Sequence, residues 1–280
     1  MISLVIDIAR AEEKLLLSSL REKFGEVRVV DVRYTPLRLS GNGDPVGIAV
    51  IRPISMVKAL YSASIYEALG ATTINSSETI MYSGDKVLSY TRLASYKLPV
   101  PRTIIALSKE SALRAGEELG YPLVVKPPLG SWGRLVAKAR DERELATLIA
   151  HREEASTPHQ RASIIQELID TRGRDIRCLV VGGETLGCIE RVAKNGEWRS
   201  NVALGAETRP YPLSGELDDL AVRAAMAVKG FFVSVDLFDT PDGFLVNEVN
   251  AVPEFKGFMR ATGINPAPVV ANKLYEYYKK

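Results

Sequence analysis

The sequence predicts an α/β chain of three units: an N-terminal α/β unit over residues 1–85, a central α+β unit over 86–165 and a strand-rich C-terminal unit over 166–280. Three observations lead to this prediction. The first unit alternates apolar strand runs with helical runs, the middle stretch sets strands and helices around a glycine-rich turn, and the last third is dominated by long β segments closed by a helix. With 280 residues, 46% hydrophobic and 25% charged, the chain can bury the cores of two or three such units.

In order, SLVIDI reads as a strand, AEEKLLLSSLREKF as a helix, VRVVDV and GIAVIRP as strands, SMVKALYSASIYEALG as a helix with Gly70 past its end, and TTIN as a fourth strand. This β-α-β rhythm implies a small parallel sheet. The loop GNGDPVG runs into the apolar GIAVI and lacks the G-x-G-x-x-G spacing, so it is not a dinucleotide turn; no G-x-x-x-x-G-K-[ST] loop occurs either. A helix within SGDKVLSYTRLASYK ends before LPVP, because a residue preceding proline is pushed out of the α region. Strand TIIAL, helix SKESALRAGEELG, strand YPLVVKP, the turn PLGSWGR, strand LVAKA and helix DERELATLIAHREE complete the central unit. ASTPHQRA is a polar linker. The strands SIIQELI, DIRCLVVGG and ETLGCIERVA follow, then the helix SGELDDLAVRAAMAVKG, the hairpin FFVSVDLFDTPDGFLVNEV and the helix APVVANKLYEYYKK.

The charge balance excludes several function classes. Thirty-six basic against 34 acidic residues give a net charge of +2, which supplies no field for nucleic acid or for a membrane surface. The N-terminal apolar run is met at once by Arg10, Glu12, Glu13 and Lys14, so it reads as a strand and not as a secretory signal. No apolar stretch reaches the roughly 20 residues of a membrane helix, and a cytoplasmic location is expected. Cys178 and Cys188 have no CxxC partner or histidine cluster and read as reduced core thiols. Glutamine occurs only at Gln160 and Gln166, a depletion of thermolabile residues that points to a hot source.

Four constellations can carry chemistry. In the hairpin around TPDG, a centre near Asp242 places Asp236 across from Glu248, with Asn250 two residues further on the same face as Phe232 and Val246. A bulge would break this parity. Two apposed carboxylates repel unless a cation lies between them, and hard oxygen ligands suit Mg²⁺ carrying a nucleotide phosphate; a solvent-facing acidic strand is the alternative. In VVKPPLGSWGR, Lys126 offers a point charge beside a loop with Gly130, Ser131 and Gly133, whose backbone N–H groups can approach phosphate oxygens. Glycines also make ordinary turns. In IIQELIDTRGRDIR, Glu167 ends an apolar run where it can accept from a ribose, while Arg174 and Arg177 flank Asp175; these arginines suit a bidentate grip on phosphate or carboxylate, or else form a surface network. In ERVAKNGEWRSNVALGA, Arg191 ends a strand and is the candidate for transition-state charge, with Arg199 and Asn201 nearby. His151 and His159 lie in polar sequence and are read as inert, so no general base emerges.

The order of the motifs, GDK, VVKPPLGSWGR, QELI, GRDIR, WRSNVALG, a strand Asp and NEVN, resembles the RimK-like branch of the ATP-grasp superfamily from about Asp85 to Gly263. Within that branch, IRPISMVKALYSASIYEALG, TINSSETI and NEVNAVPEFKGF are similar to ligases that attach an amino acid to the small acidic carrier protein LysW. The resemblance implies an ATP-grasp fold: a pre-ATP-grasp domain, a small central ATP-binding domain and a C-terminal domain with the metal site. It implies ATP held by Lys86, Lys126, the lid residues Gly130, Ser131, Trp132, Gly133 and Arg134, by Glu167, Leu168 and Ile169 near ribose and adenine, and by Arg174, Asp175 and Arg177. It implies Mg²⁺ on Asp236, Glu248 and Asn250, and catalytic roles for Arg191 and Lys126. Arg191, Asn201, Val202, Glu254, Gly257, Phe258 and Thr262 would face the amino acid. Gly257-Phe258 after EFK is the pattern of the glutamate-type enzymes, whereas the α-aminoadipate type carries Asn followed by Ser or Thr. The implied product is glutamate joined through an acylphosphate to the C-terminal glutamate side chain of LysW, in arginine biosynthesis, by a homo-oligomer. Use of α-aminoadipate, glutamate transfer to another protein tail, and a nucleotide-binding scaffold remain alternatives. Arg33, Arg38, Arg52 and Lys58 would suit an acidic partner.

Overall fold

The computed structural model describes residues 1–39, 47–130, 133–154, 161–194 and 205–279, so the loop before Gly47, Ser131, Trp132, His159, Arg199, Asn201 and Val202 lie outside the described residues. Three sheets organise these residues. The first contains β1 (Ile2–Ile6), β2 (Val27–Asp31), β3 (Ile48–Ile51) and β4 (Thr72–Ile74), all parallel in the order β2-β1-β3-β4, as the β-α-β rhythm predicts. Both faces of this sheet are covered, which is why β1 and β3 are nearly continuous apolar runs. Leu20 of α1 (Ala11–Phe24) packs against Ile2, Leu4 and Ile6, while Ala59, Ala63 and Tyr66 of α2 (Met56–Ala68) pack against Val5, Ala49 and Ile51.

The single helix expected in SGDKVLSYTRLASYK is preceded by another, and the two meet in a sharp break. Helices α3 (Ser77–Gly84) and α4 (Lys86–Ser95) join at Asp85, which is extended and whose carboxylate accepts from the N–H groups of Val87 and Leu88 at 2.8 and 3.2 Å. This N-cap satisfies donors that have no partner within the helix, and it leaves Lys86 at the start of α4.

The second sheet is antiparallel, in the order β5-β8-β6-β7. It comprises β5 (Thr103–Ala106), β6 (Leu123–Lys126), β7 (Ala137–Ala139) and β8 (Ser163–Glu167), with α5 (Lys109–Leu119) and α6 (Glu142–Glu153) burying Ala112, Ala115, Leu145 and Ile149 against it. Strand β8, which the expected boundary at 165 divides, is hydrogen-bonded to both β5 and β6.

The third sheet runs β11-β10-β9-β12-β13, with β9 (Arg174–Val181), β10 (Glu184–Val192), β11 (Glu207–Tyr211), β12 (Phe232–Thr240) and β13 (Gly243–Asn250). Strand β11 was not legible: it is polar, contains Pro210 and sits at the sheet edge, where a missing N–H is tolerated. Period-two alternation divides the faces. Ile176, Cys178, Val180, Val233, Val235 and Leu237 point toward α7 (Gly215–Ala227) and α4, whereas Leu179, Val181, Ile189 and Phe232 pack on Phe255, on Phe258 of α8 (Lys256–Thr262) and on Ala267 and Val270 of α9 (Pro266–Lys279). The far end of α9 returns to the first sheet, with Ala271 and Leu274 in the cluster of Ile2, Leu4 and Leu20.

The β9–β10 and β12–β13 hairpins of this sheet each contain a register shift that parity counting misses. In the β9–β10 hairpin, Gly182 and Gly183 both have positive φ, as a tight two-residue turn requires, and a shift between Thr185 and Gly187 then brings Cys188 opposite Cys178. Their Cα atoms are 4.0 Å apart and the two residues form a disulfide, so the expectation of reduced thiols is corrected. Intracellular proteins of hyperthermophiles also carry such bonds. In the β12–β13 hairpin, Thr240 pairs with Gly243, which centres the turn between Pro241 and Asp242 and by simple counting would oppose Asp236 to Asn247. A bulge between Asp236 and Leu237 restores the Asp236–Glu248 pair and carries Val246 to the opposite face, into the cluster of Val235 and Leu237. The expected pairing is therefore present, but its neighbour Val246 is not on that face.

Asn75, immediately after β4, links the first sheet to the third. Its Oδ1 accepts from Phe231 and Phe232 N–H at 2.9 and 3.0 Å, and its Nδ2 donates to the Phe232 and Ala251 carbonyls at 2.6 and 2.7 Å. All four hydrogen-bonding positions of the amide are used in a buried site. Asn75→Ala is expected to destabilise the fold by about 3 kcal/mol or more, since it strands buried backbone groups; urea unfolding of the variant against the wild type measures this.

Candidate active site

The C-terminal sheet places four charged side chains on one face. Asp175 and Arg177 lie two apart on β9, Arg191 is opposite Asp175 on β10, and Asp236 on β12 is opposite Arg177. Arg177 grips both oxygens of Asp236, each at 2.7 Å. Arg191 is bidentate to Asp175 and also donates to Asp236 at 2.8 Å. Asp175, Arg191 and Asp236 are buried. Burial disfavours the carboxylate of Asp236, but Arg177 and Arg191 outweigh it and hold its pKa down to about 2. Burial likewise opposes the charge on Arg191, but Asp175 and Asp236 raise its pKa above the ordinary arginine value.

This network answers the repulsion between the apposed carboxylates with guanidinium groups. Glu248, opposite Asp236, lies 3.4 Å from Lys86 Nζ and accepts from Asn250 Nδ2 at 3.3 Å. Among the described residues, no group of three His, Cys, Asp or Glu side chains is arranged to hold a metal ion. The donor set nevertheless fits Mg²⁺, which commonly takes one or two carboxylates and fills its shell with phosphate and water. Glu248 is part-exposed, and Asp236, which accepts three N–H bonds from Arg177 and Arg191, retains about one of the four lone-pair positions of a carboxylate.

A cavity of about 170 Å³ lies between the second and third sheets. It brings together Lys86, Lys126, Gly130, Gly133, Arg134, Glu167, Leu168, Ile169, Asp175, Arg191, Asp236 and Glu248. Lys126, the last residue of β6, is held by Asn247 Oδ1 at 2.9 Å and Tyr90 Oη at 3.4 Å. Tyr90 in turn donates to the Asn247 carbonyl and accepts from Gln166 Nε2, both at 2.8 Å. Burial pushes the Lys126 ammonium down to about 7; Glu248 partly opposes this and Lys86 reinforces it. Lys86 donates to the Gly130 carbonyl at 2.8 Å, and its own N–H donates to Pro128, so the start of the glycine loop is tied to α4. Glu167 accepts from Arg102 N–H at 2.7 Å while lining the cavity.

Two larger cavities adjoin the first, and Arg191 lines all three. Asn250, Arg177 and Glu254 line the second; Arg177, Glu254, Gly257 and Phe258 line the third. Not every expected residue lies at these cavities. Arg174 is exposed, 3.7 Å from Glu190, and lines none of the three cavities. Thr262 also lines none; its hydroxyl donates to the Phe258 carbonyl within α8. Phe258 is 2% exposed and packs with Phe255 and Ile189, so its ring is first a core residue that presents an edge to the third cavity. Arg52 is buried against Glu13 and the Pro253 carbonyl, and so cannot greet an acidic partner. His151 is exposed on α6 and lines none of these three cavities. Asn247, Tyr90 and Gln166 were missed. The cluster N-E-V-N breaks strict alternation at Asn247, and that break was the available signal of a bulge.

Comparisons with known proteins identify the family. The RimK-like ATP-grasp domain model matches residues 83–275, and the LysX preATP-grasp domain model matches residues 2–82. The chain is 47% identical to the glutamate–LysW ligase ArgX of Sulfurisphaera tokodaii, covering 99% of this chain and 97% of that one. It is 34% identical to the α-aminoadipate–LysW ligase LysX of the same organism, covering 100% and 99%. A crystal structure of a RimK domain ATP-grasp protein from Sphaerobacter thermophilus superposes with a TM-score of 0.78 at 22% identity, covering 97% and 98%, and so shares the fold. ATP-grasp ligases as a class use ATP and Mg²⁺, the chemistry the lysine and carboxylate set around the first cavity accommodates. The chain belongs to the RimK-like family of ATP-grasp ligases.

Proposed function

We propose that this protein joins the α-amino group of glutamate to the side-chain carboxylate of the C-terminal glutamate of LysW, with ATP consumed through an acylphosphate, in arginine biosynthesis. The observation that supports this most is the 47% identity to the glutamate–LysW ligase along essentially the whole of both chains, against 34% to the α-aminoadipate–LysW ligase. In this reading Lys126 and Lys86 bind phosphate oxygens, the loop at Gly130 to Gly133 covers them, and Glu167 to Ile169 receive ribose and adenine. Asp236, Glu248 and Asn250 would hold Mg²⁺, which supplies neutralisation of phosphate charge. Arg191, fixed by Asp175 and Asp236 where the three cavities meet, stabilises charge developing on the phosphoryl group and the tetrahedral intermediate. Asp175 then acts by orienting Arg191, and Arg177 by orienting Asp236.

Intact-mass measurement of LysW after incubation with the protein, Mg-ATP and either amino acid tests the reading. A gain of one glutamate residue is expected; a gain with α-aminoadipate alone would reassign the substrate, and no gain with either would refute the ligase–LysW assignment. The Gly257-Phe258 pattern is a poor place to switch specificity, because Phe258 fills the core beside Phe255 and Phe258→Thr would open a cavity there.

A further inference from the structure

The second and third cavities, about 550 and 870 Å³, meet at one ion pair. Arg10 Nη1 donates to Glu254 Oε1 at 2.8 Å, and both residues line both cavities. The two partners are held very differently. Arg10 is clamped from behind: its Nε and Nη2 bind the two oxygens of Glu13 at 2.9 and 2.7 Å, and Glu13 is buried against Arg52. Arg52 donates onward to the Pro253 carbonyl at 3.0 Å, so the chain on either side of the pair is braced by the same cluster. Glu254 is 45% exposed, and among the described residues its carboxylate has Arg10 as its partner. A fixed guanidinium thus presents a free-facing edge to the junction, and a loosely held internal carboxylate occupies it. Exposed pairs of this kind hold weakly, because water and salt compete for both charges.

We propose that Arg10 is a binding residue for a substrate carboxylate, and that Glu254 is an internal stand-in that this carboxylate displaces. The inference rests on the proposed ligase function, in which both substrates carry carboxylates: free glutamate, and the glutamate that ends the carrier. Arg177 and Arg191 line the same junction, but both of their counter-charges, Asp236 and Asp175, are buried; Arg10 shares the buried Glu13 with Arg52, and its second counter-charge, Glu254, can swing away into solvent. The displacement is an exchange of one ion pair for another, with no net change in buried charge.

Equilibrium binding with a non-hydrolysable ATP analogue and Mg²⁺ present tests this, with radiolabelled glutamate and a peptide ending in glutamate as separate probes. Arg10→Gln is expected to weaken one of the two at least tenfold, and Glu254→Gln to tighten that same one at least threefold. A pair that merely braces the fold would move binding in the same direction when either partner is lost. The probe that responds identifies the source of the carboxylate. Should Arg10→Gln fold poorly by thermal unfolding, Arg10→Lys, which keeps the cation but loses the fork, and Glu254→Gln carry the test. Equal weakening by both variants, no response from either probe, or no binding of either probe to the wild type would overturn the proposal. Loss of ligation to LysW with these binding responses intact would count against the proposed function alone.

Discussion

Arg191→Met is expected to lower the ligation rate by about 10²–10³-fold and to destabilise the fold by about 3–5 kcal/mol. The two effects have one origin. The guanidinium neutralises two buried carboxylates, Asp175 and Asp236, and its removal takes away the charge that lets both stay ionised out of water. Asp236 keeps Arg177, but its pKa, held down to about 2 in the wild type, must rise. The sign follows from linkage. A carboxylate with a depressed folded-state pKa stabilises the fold above its unfolded value near 4, and this contribution is lost as pH falls toward 2. The variant should therefore unfold at a higher pH on acidification than the wild type. Arg191→Lys preserves the charge but not the fork, and should recover more stability than activity. Urea and acid titrations followed by circular dichroism, with product mass as the activity readout, separate these quantities. Full activity in Arg191→Met would remove this residue from the transition state.

Lys126→Met is expected to weaken ATP binding by about 10–100-fold, the worth of a charge-assisted contact in a dry site. Lys126 also makes a pH prediction. Burial lowers its pKa to about 7 in the free protein, far below that of an exposed lysine, so the neutral amine is within reach near neutral pH. A bound triphosphate favours the ammonium, which means that binding takes up a proton and that affinity falls as pH rises above 7, by at most about tenfold per unit. Calorimetry in buffers of different ionisation enthalpy should register that uptake, and Lys126→Met should abolish it. A pH-independent affinity between pH 6 and 9 would mean that Lys126 does not contact the phosphates.

The sequence was most legible where one physical rule acts alone. The parallel first sheet followed from its strand and helix rhythm, whereas the pairing of β9 with β12 that sets Arg177 beside Asp236 had no signal in the sequence. It was least legible where a single extra residue resets the count. The shift before Gly187 brought Cys178 and Cys188 together and concealed a disulfide. The bulge at β13 happened to cancel an error of half a residue in the assumed turn centre, so Glu248 came out opposite Asp236 while Val246 did not fall where expected. Burial of charge was the other blind spot. Arg52 and Arg10 look alike in sequence and both bind Glu13, yet Arg52 is sealed beneath Pro253 and Arg10 faces two cavities, a difference set by the long-range contact with the Pro253 carbonyl.

The packing of α9 against the first sheet has a consequence for biosynthesis. Ala271 and Leu274 complete the cluster that covers Ile2, Leu4 and Leu20, so the sheet formed by the earliest residues keeps an open apolar flank until residues 266–279 have been translated. At roughly 5–20 residues per second, the interval is on the order of ten seconds or more. During it the nascent chain exposes a surface that a ribosome-bound chaperone could shield, and a stall or frameshift late in the message would release a polypeptide whose first-made sheet never closes.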